Sequence, residues 1–289
     1  MTKKASIHFI EKRCDLWYNY YIKGDIMKFQ ILASGSKGNM TYIESNNTHI
    51  ILDAGISLKE VALRSDINLD NIDAILLTHE HSDHITYLMP LLRKTKATLY
   101  AHKKTIEYLI TKRHCDFSDV KVQYLMNNKK YLINDITIFT LELSHDASNC
   151  NGFIFSCDKS SLAYITDTGL VPLVYMELLK KVNTLIIEAN HDIEMLNESD
   201  RPWFLKQRIL SFKGHLSNIT CGEVINRLLK EGKIEKIVLA HLSEECNEEH
   251  LAIDTVLSLI EGDYLPKFYV AKQRESLDFI EVKSEKDED

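Results

Sequence analysis

The sequence predicts an α/β layered domain. From Met27 onward, short apolar runs alternate with helical stretches, the order expected when strands and helices interleave rather than separate into blocks. The 289 residues allow one large or two small domains, yet neither a repeat nor a Gly/Ser linker divides them. With only 4 Pro and 10 Gly there is no evident hinge, so one domain is read over 27–282, followed by a charged tail at 283–289. An apolar share of 45% and a charged share of 27% exclude collagen, coiled-coil and disordered classes.

Taken in order, apolar runs place strands at 29–33, 40–44, 49–52, 74–78, 98–101, 121–124, 136–143, 152–156, 162–166, 184–188, 236–240 and 267–270. Helices fill the gaps at 58–63, 85–94, 103–112, 172–181, 203–211, 217–231 and 248–261, several opened by Ser, Asn or Pro. Residues 1–26 fit neither pattern and read as an N-terminal extension. Lys23-Gly24-Asp25 can be encoded by a purine-rich run resembling a bacterial ribosome-binding sequence, so Met27 is the expected start, with a genuine flexible arm as the other reading.

The six cysteines form no CxxC pair, and neither a zinc ribbon nor a disulfide framework is expected. No window approaches the roughly 20 apolar residues that span a bilayer, and no secretory leader is read, so cytoplasm is the expected location, without a membrane partner. A net charge of −7 argues against a generalised nucleic-acid coat but leaves room for a local positive site.

The strongest signal is THEHSDH, which packs His79, His81, Asp83 and His84 into a strand-to-helix turn. Chance alone would produce such a fixed quartet with a frequency on the order of 0.002 per chain of this length. Neutral imidazoles and carboxylates suit zinc or manganese, and a tight turn can aim such groups at two neighbouring ions. Further candidate ligands each follow an apolar strand: His145 after ITIFTLELS, Asp167 after LAYIT and His241 after KIVLA. Strand ends lie on the rim of a sheet, where distant chain positions converge on one crevice. Asp53 ends the strand IILD and is either a support for the metal loop or an ordinary helix cap.

The order HxHxDH, His, Asp, His resembles the metallo-β-lactamase superfamily, and the resemblance implies a four-layer αββα sandwich. It also implies that His79, His81 and His145 hold one divalent ion and Asp83, His84 and His241 a second, bridged by Asp167, with Asp53 behind them. Five segments, ILASGSKGNMTYIE, ELSHDASNCNGF, EANHDIEML, WFLKQRILSFKGHLSN and AHLSEECN, resemble the WalJ/YycJ-type metallohydrolases within that superfamily. This implies a phosphodiesterase acting on nucleic acid ends, a 5′-to-3′ DNA exonuclease using a hydroxide shared by two Zn2+ or Mn2+ ions. Cys150-Asn151 departs from the family, standing where a proline-containing turn is expected.

Other residues favour phosphate independently. SGSKGN is a Gly-rich turn whose backbone and Ser36, with Asn39, would meet an anion, although a plain hairpin turn is the alternative. Lys206, Arg208 and GHLSN, with Ser217, place cations and donors before a helix; a solvated helix face is the other reading. His215 sits in GHLSN, where related nucleases place a histidine near the scissile phosphate, and the resemblance implies that it protonates the leaving 3′-oxygen, with helix capping as the alternative; Asp83 and Asp167 join it as catalytic candidates. His191, with Asp192, is either a substrate contact or the start of a helix. His8, His49, His102, His114 and His250 are expected at the surface. Competing readings are a hydrolase of a small phosphodiester or thioester, and a metal-stabilised signalling module without turnover. Oligomeric state is not fixed by the sequence.

Overall fold

In a computed structural model describing residues 27–232 and 234–282, two seven-stranded sheets face each other. The N-terminal extension, the tail at 283–289, His8 and Cys14 lie outside the described residues. The first sheet holds β1 (Lys28–Ala33), β2 (Met40–Glu44), β3 (His49–Leu52), β4 (Ala74–Leu76), β5 (Thr98–His102) and β6 (Val122–Leu125), with β14 (Ile280–Glu281) beside β1. The second runs β7 (Lys130–Ile133), β8 (Ile136–Leu143), β9 (Cys150–Cys157), β10 (Ser160–Ile165), β11 (Thr184–Glu188), β12 (Lys236–Ala240), β13 (Lys267–Val270).

Alternation along each strand builds the layers. In β3, Ile50 and Leu52 enter the core between the sheets, where Phe29, Phe153, Phe155 and Val238 meet them. Ile51, between them in sequence, turns to the outer face with Ile75 and Leu99. There it is covered by α1 (Leu58–Arg64), α3 (Leu88–Thr95) and α4 (Lys103–Arg113) through Val61, Leu91, Leu92 and Ile106. On the far side, α5 (Met176–Leu179), α8 (Asn218–Leu229) and α9 (Glu249–Ser258) cover the second sheet through Leu179, Cys221, Ile225 and Val256. The result is the αββα sandwich, each fully buried Phe contributing about 1.5–3 kcal/mol by leaving water.

Local chemistry sets the element ends. A reciprocal capping box of Ser57 and Glu60 opens α1, and Ser57, Asp192 and Ser217 each accept backbone N–H groups at a helix start. The single helix expected at 85–94 is instead α2 (Ser82–Ile85) followed by α3. The carbonyl of Asp83 accepts from Asn39 N–H, that of His84 from Ala54 N–H, and Tyr87 N–H donates to the Ala54 carbonyl, so cross-links to the neighbouring loops replace the helical ladder. The stretch 172–181 opens with a 3₁₀ turn at Leu173–Tyr175 before α5, a second such turn spans Leu69–Asn71, and α6 (Ile193–Glu198) follows β11.

Gly55 permits this close approach, because a Cβ there would lie 1.9 Å from the Asp83 carbonyl oxygen and 2.3 Å from the Asn39 nitrogen. Gly55→Ala is expected to cost about 1–3 kcal/mol by overpacking, read as a lower guanidinium midpoint. An unchanged midpoint would mean that the Asp83 loop is free to move.

Candidate metal centre

Side chains from both sheets converge because their residues follow strands that end on one rim. Asp53 follows β3; His79, His81, Asp83 and His84 follow β4; His145 follows β8; Asp167, His241 and the last residue of β11, Glu188, complete the set. Asp53, Asp167 and His241 adopt left-handed backbone, with φ of 63°, 58° and 56°. Non-glycine residues in this region cost on the order of 1–3 kcal/mol, an expense that surrounding structure offsets where it aims a side chain.

Four groups of potential ligand atoms lie within 4.8 Å of one another: His79/His81/His145, Asp83/His84/His241, His79/His84/Asp167, and Asp167/Glu188/His215/His241. Asp167 therefore touches both halves: its Oδ2 lies 3.4 Å from His84 Nε2 and its Oδ1 3.4 Å from His241 Nε2. Asp83 Oδ2 lies 3.2 Å from His84 Nε2, and His145 Nε2 lies 3.2 Å from His81 Nδ1.

The outward ring nitrogens are anchored, which turns the opposite nitrogens inward. His84 Nδ1 meets Asp53 Oδ2 at 2.7 Å, and Asp53 also accepts from Thr78 N–H. His145 Nδ1 donates to the Gly214 carbonyl, and His79 Nδ1 meets the Thr78 hydroxyl. One oxygen of Glu188 serves two rings, at 2.9 Å from His241 Nδ1 and 2.7 Å from His215 Nδ1. Asn151, at the family departure, donates its backbone N–H to the Thr78 carbonyl, a bond proline cannot make, and ties β9 to the histidine-rich turn.

Electrostatically the crevice is crowded with acids. Burial pushes His84 down, but Asp83, Asp53 and Asp167 outweigh it and hold the imidazole well above its ordinary range. His241 is likewise lowered by burial yet raised overall to about 10 by Asp167, Asp83 and Glu188. Glu188 is raised by burial but brought to about 2 by His215 and His241. Burial, with His84 beside it, drives His79 well below the imidazole range. His79 Nε2, His241 Nε2 and Asp167 Oδ2 are buried without a hydrogen-bond partner. Orphaned borderline-hard donors converging from several sides fit divalent cations.

The remaining candidates separate. His215, half-buried, lines the cleft beside His241 together with Ser36 and Arg208, and the helix cap is Ser217 instead. Arg208 pairs with Asp146, whose other oxygen lies 3.5 Å from His145 Nε2. Lys206 is a correction: buried, its Nζ donates to the carbonyls of Asn197 at 2.7 Å and Ser199 at 2.6 Å, fastening the turn before α7 (Trp203–Ile209) rather than meeting substrate. Ser217 is buried as the cap of α8, its hydroxyl accepting from Thr220 N–H. Asn39 is buried, its Nδ2 3.0 Å from both Asp83 Oδ2 and His84 Nε2, so it organises the ligands. His191 is buried with neither ring nitrogen bonded, and Asp192 caps α6 rather than orienting it, so neither is placed as a substrate contact.

Glu188 is the residue the sequence reading passed over, although its place after TLII repeats the strand-end signal of Asp167. Among the surface expectations, His114 and His250 are exposed, His49 and His102 half-buried; Cys115, Cys150, Cys157, Cys221 and Cys246 are free thiols.

Comparison with known proteins gives a consistent picture. The profile of the beta-lactamase superfamily domain matches residues 48–242. Exodeoxyribonuclease WalJ of Streptococcus pneumoniae serotype 2 (strain D39 / NCTC 7466) is 39% identical over 235 residues, covering 80% of this chain and 87% of that protein. Exodeoxyribonuclease YycJ of Bacillus anthracis is 35% identical over 241 residues, covering 81% and 89%. Among solved structures, the metallo-beta-lactamase fold protein YhfI from Bacillus subtilis superposes with a TM-score of 0.68 at 15% identity, covering 88% of this chain and 99% of the other. A diphosphatase of the PhnP family gives 0.64 at 18% identity, covering 89% and 98%. At these identities the structural matches speak to the fold alone.

With His84 and His241 protonated at neutral pH, cation binding must expel their protons. Loading at pH 7 is expected to release about two protons per chain, and affinity to rise with pH. Calorimetric titration in buffers of different ionisation enthalpy measures this; binding without proton release would contradict the assignment of these rings as ligands.

Proposed function

The chain belongs to the WalJ/YycJ family of metallo-β-lactamase-fold proteins, and on that premise we propose that it is a metal-dependent exodeoxyribonuclease. The carrying observation is a cleft lined by His81, Asp83, Asp167 and His241 together with His215 and Arg208, with His79, His84 and His145 clustered against those ligands, in a chain 39% identical to a named exodeoxyribonuclease. We place His79, His81 and His145 around one divalent ion and Asp83, His84 and His241 around a second, with Asp167 shared, and Zn2+ or Mn2+ as the ions. When bound, such a pair would lower the pKa of a water and offset negative charge on the reacting phosphate.

The chain's own groups do the rest. Asp83 and Asp167, both set against His84 Nε2, would provide the negative charge to hold the cations. Asp53 and Glu188 lock the rings that face inward. Arg208 and the Ser36 turn line the cleft where a phosphate enters. His215, held through Nδ1 by Glu188, presents its other ring nitrogen to the cleft. It delivers a proton to the 3′-oxygen as the P–O3′ bond breaks and the water oxygen bonds to phosphorus, releasing nucleotide in the 5′-to-3′ direction.

On DNA labelled at either end, Mn2+-supplemented protein should release 5′-terminal nucleotide from the first time points. Asp83→Ala should be inactive, and His215→Ala should lower kcat about 10²–10⁴-fold with little change in KM. Intact DNA after incubation with the metal-loaded wild type, or release from the 3′ end, would contradict the proposal.

A further inference from the structure

We propose, resting on the nuclease reading above, that Asp146 is a positioning residue: its carboxylate holds the Arg208 guanidinium beside the first cation site, aligned to receive a DNA phosphate. Asp146 stands directly after the ligand candidate His145. One of its oxygens accepts from Arg208 Nε. The other lies 3.5 Å from His145 Nε2 and 3.8 Å from His81 Nε2. Asp146 belongs to none of the four groups of converging ligand atoms, so its role is read from the guanidinium it holds rather than from a cation.

Two neighbouring residues thus fasten the same piece of chain. His145 Nδ1 donates to the Gly214 carbonyl at 3.1 Å, and Asp146 takes Arg208 near the end of α7. His215 N–H closes the turn by donating to the Ile209 carbonyl at 3.0 Å. At the other end, Lys206 Nζ meets the Asn197 and Ser199 carbonyls and ties the preceding turn to the helix. Arg208 therefore projects from a helix held at both ends. Its side chain lines the cavity shared by His81, Asp83 and Asp167 and also the smaller pocket beside His241.

The bond is made through Nε, which leaves the terminal amino groups of the planar fork as donors for two phosphate oxygens. Side-chain exposures of 53% for Arg208 and 28% for Asp146 put the pair at the water boundary, where an ion pair adds little to stability. What it supplies there is preorganisation, since a free arginine samples many rotamers and ordering it on binding costs affinity. Charge acts in the opposite direction, because a carboxylate beside a phosphate site repels the phosphate. The direction in which affinity moves when the carboxylate is removed therefore separates positioning from simple charge compensation.

The test is steady-state release of nucleotide from a uniformly labelled blunt duplex by the full metal-loaded chain, with the metal content of each variant measured. Asp146→Ala and Arg208→Ala should each raise KM about tenfold, with a much smaller effect on kcat. Asp146→Asn, as neutral as the alanine variant but still able to accept from Nε, should recover part of that loss. Asp146→Ala combined with Arg208→Ala should be no worse than Arg208→Ala alone, because both changes remove one interaction. Metal content should match the wild type throughout. A lowered or unchanged KM in Asp146→Ala, no recovery in Asp146→Asn, effects that multiply in the double variant, or loss of an ion would each overturn the proposal while leaving the nuclease reading standing. A duplex left intact by the loaded wild type overturns both.

Discussion

Everything at the rim of the two sheets answers to one electrostatic constraint. Asp53, Asp83, Asp167 and Glu188 are largely withdrawn from water within one crevice, and carboxylates so placed require positive charge at contact distance. In the metal-free protein the protons on His84 and His241 supply it. Under the proposed function, cations would take the place of those protons, held by the same geometry that satisfies the buried acids. Glu188 illustrates the economy of the arrangement, since one buried oxygen fixes both a proposed ligand, His241, and the proposed proton donor, His215.

The fold serves this constraint through strand ends and left-handed residues rather than through long loops. Parallel pairing of β3 with β4, and of β10, β11 and β12 with one another, sends their C-terminal ends to one edge. Left-handed backbone at Asp53, Asp167 and His241 then turns each side chain inward immediately after its strand. The loop of Asp83 and His84 is held from two directions, by Asn39 and Ala54 of the first sheet and by the Asn151 N–H bond to Thr78 from the second. Residues that would be mobile on ordinary loops are thus fixed on a scaffold shared by both halves.

The main site was legible because its signal is dense and periodic. HxHxDH is improbable by chance, and His145, Asp167 and His241 each stand behind an apolar run long enough to read as a strand. The layered fold was legible for the same reason, while β7 escaped because KYLI is a largely exposed edge strand opened by lysine, and β14 because two residues carry no pattern. The broken helix at 85–94 depends on cross-loop hydrogen bonds that periodicity does not encode. Lys206 was misread because a lysine beside an exposed arginine in sequence lies about 200° from it around a helix, here on the face that turns inward. Asp146 carries no signal of its own; only the packing of α7 against the loop of His145 brings it to Arg208, 62 residues further along the chain.

The central claim is that two cations share this crevice through Asp167. It is tested most directly by metal analysis joined to anomalous diffraction from crystals grown with Mn2+. The account predicts two ions per chain, one on His79, His81 and His145 and the other on Asp83, His84 and His241, with Asp167 contacting both. A single ion in fully loaded protein, or ions bound by a different set of side chains, would contradict it.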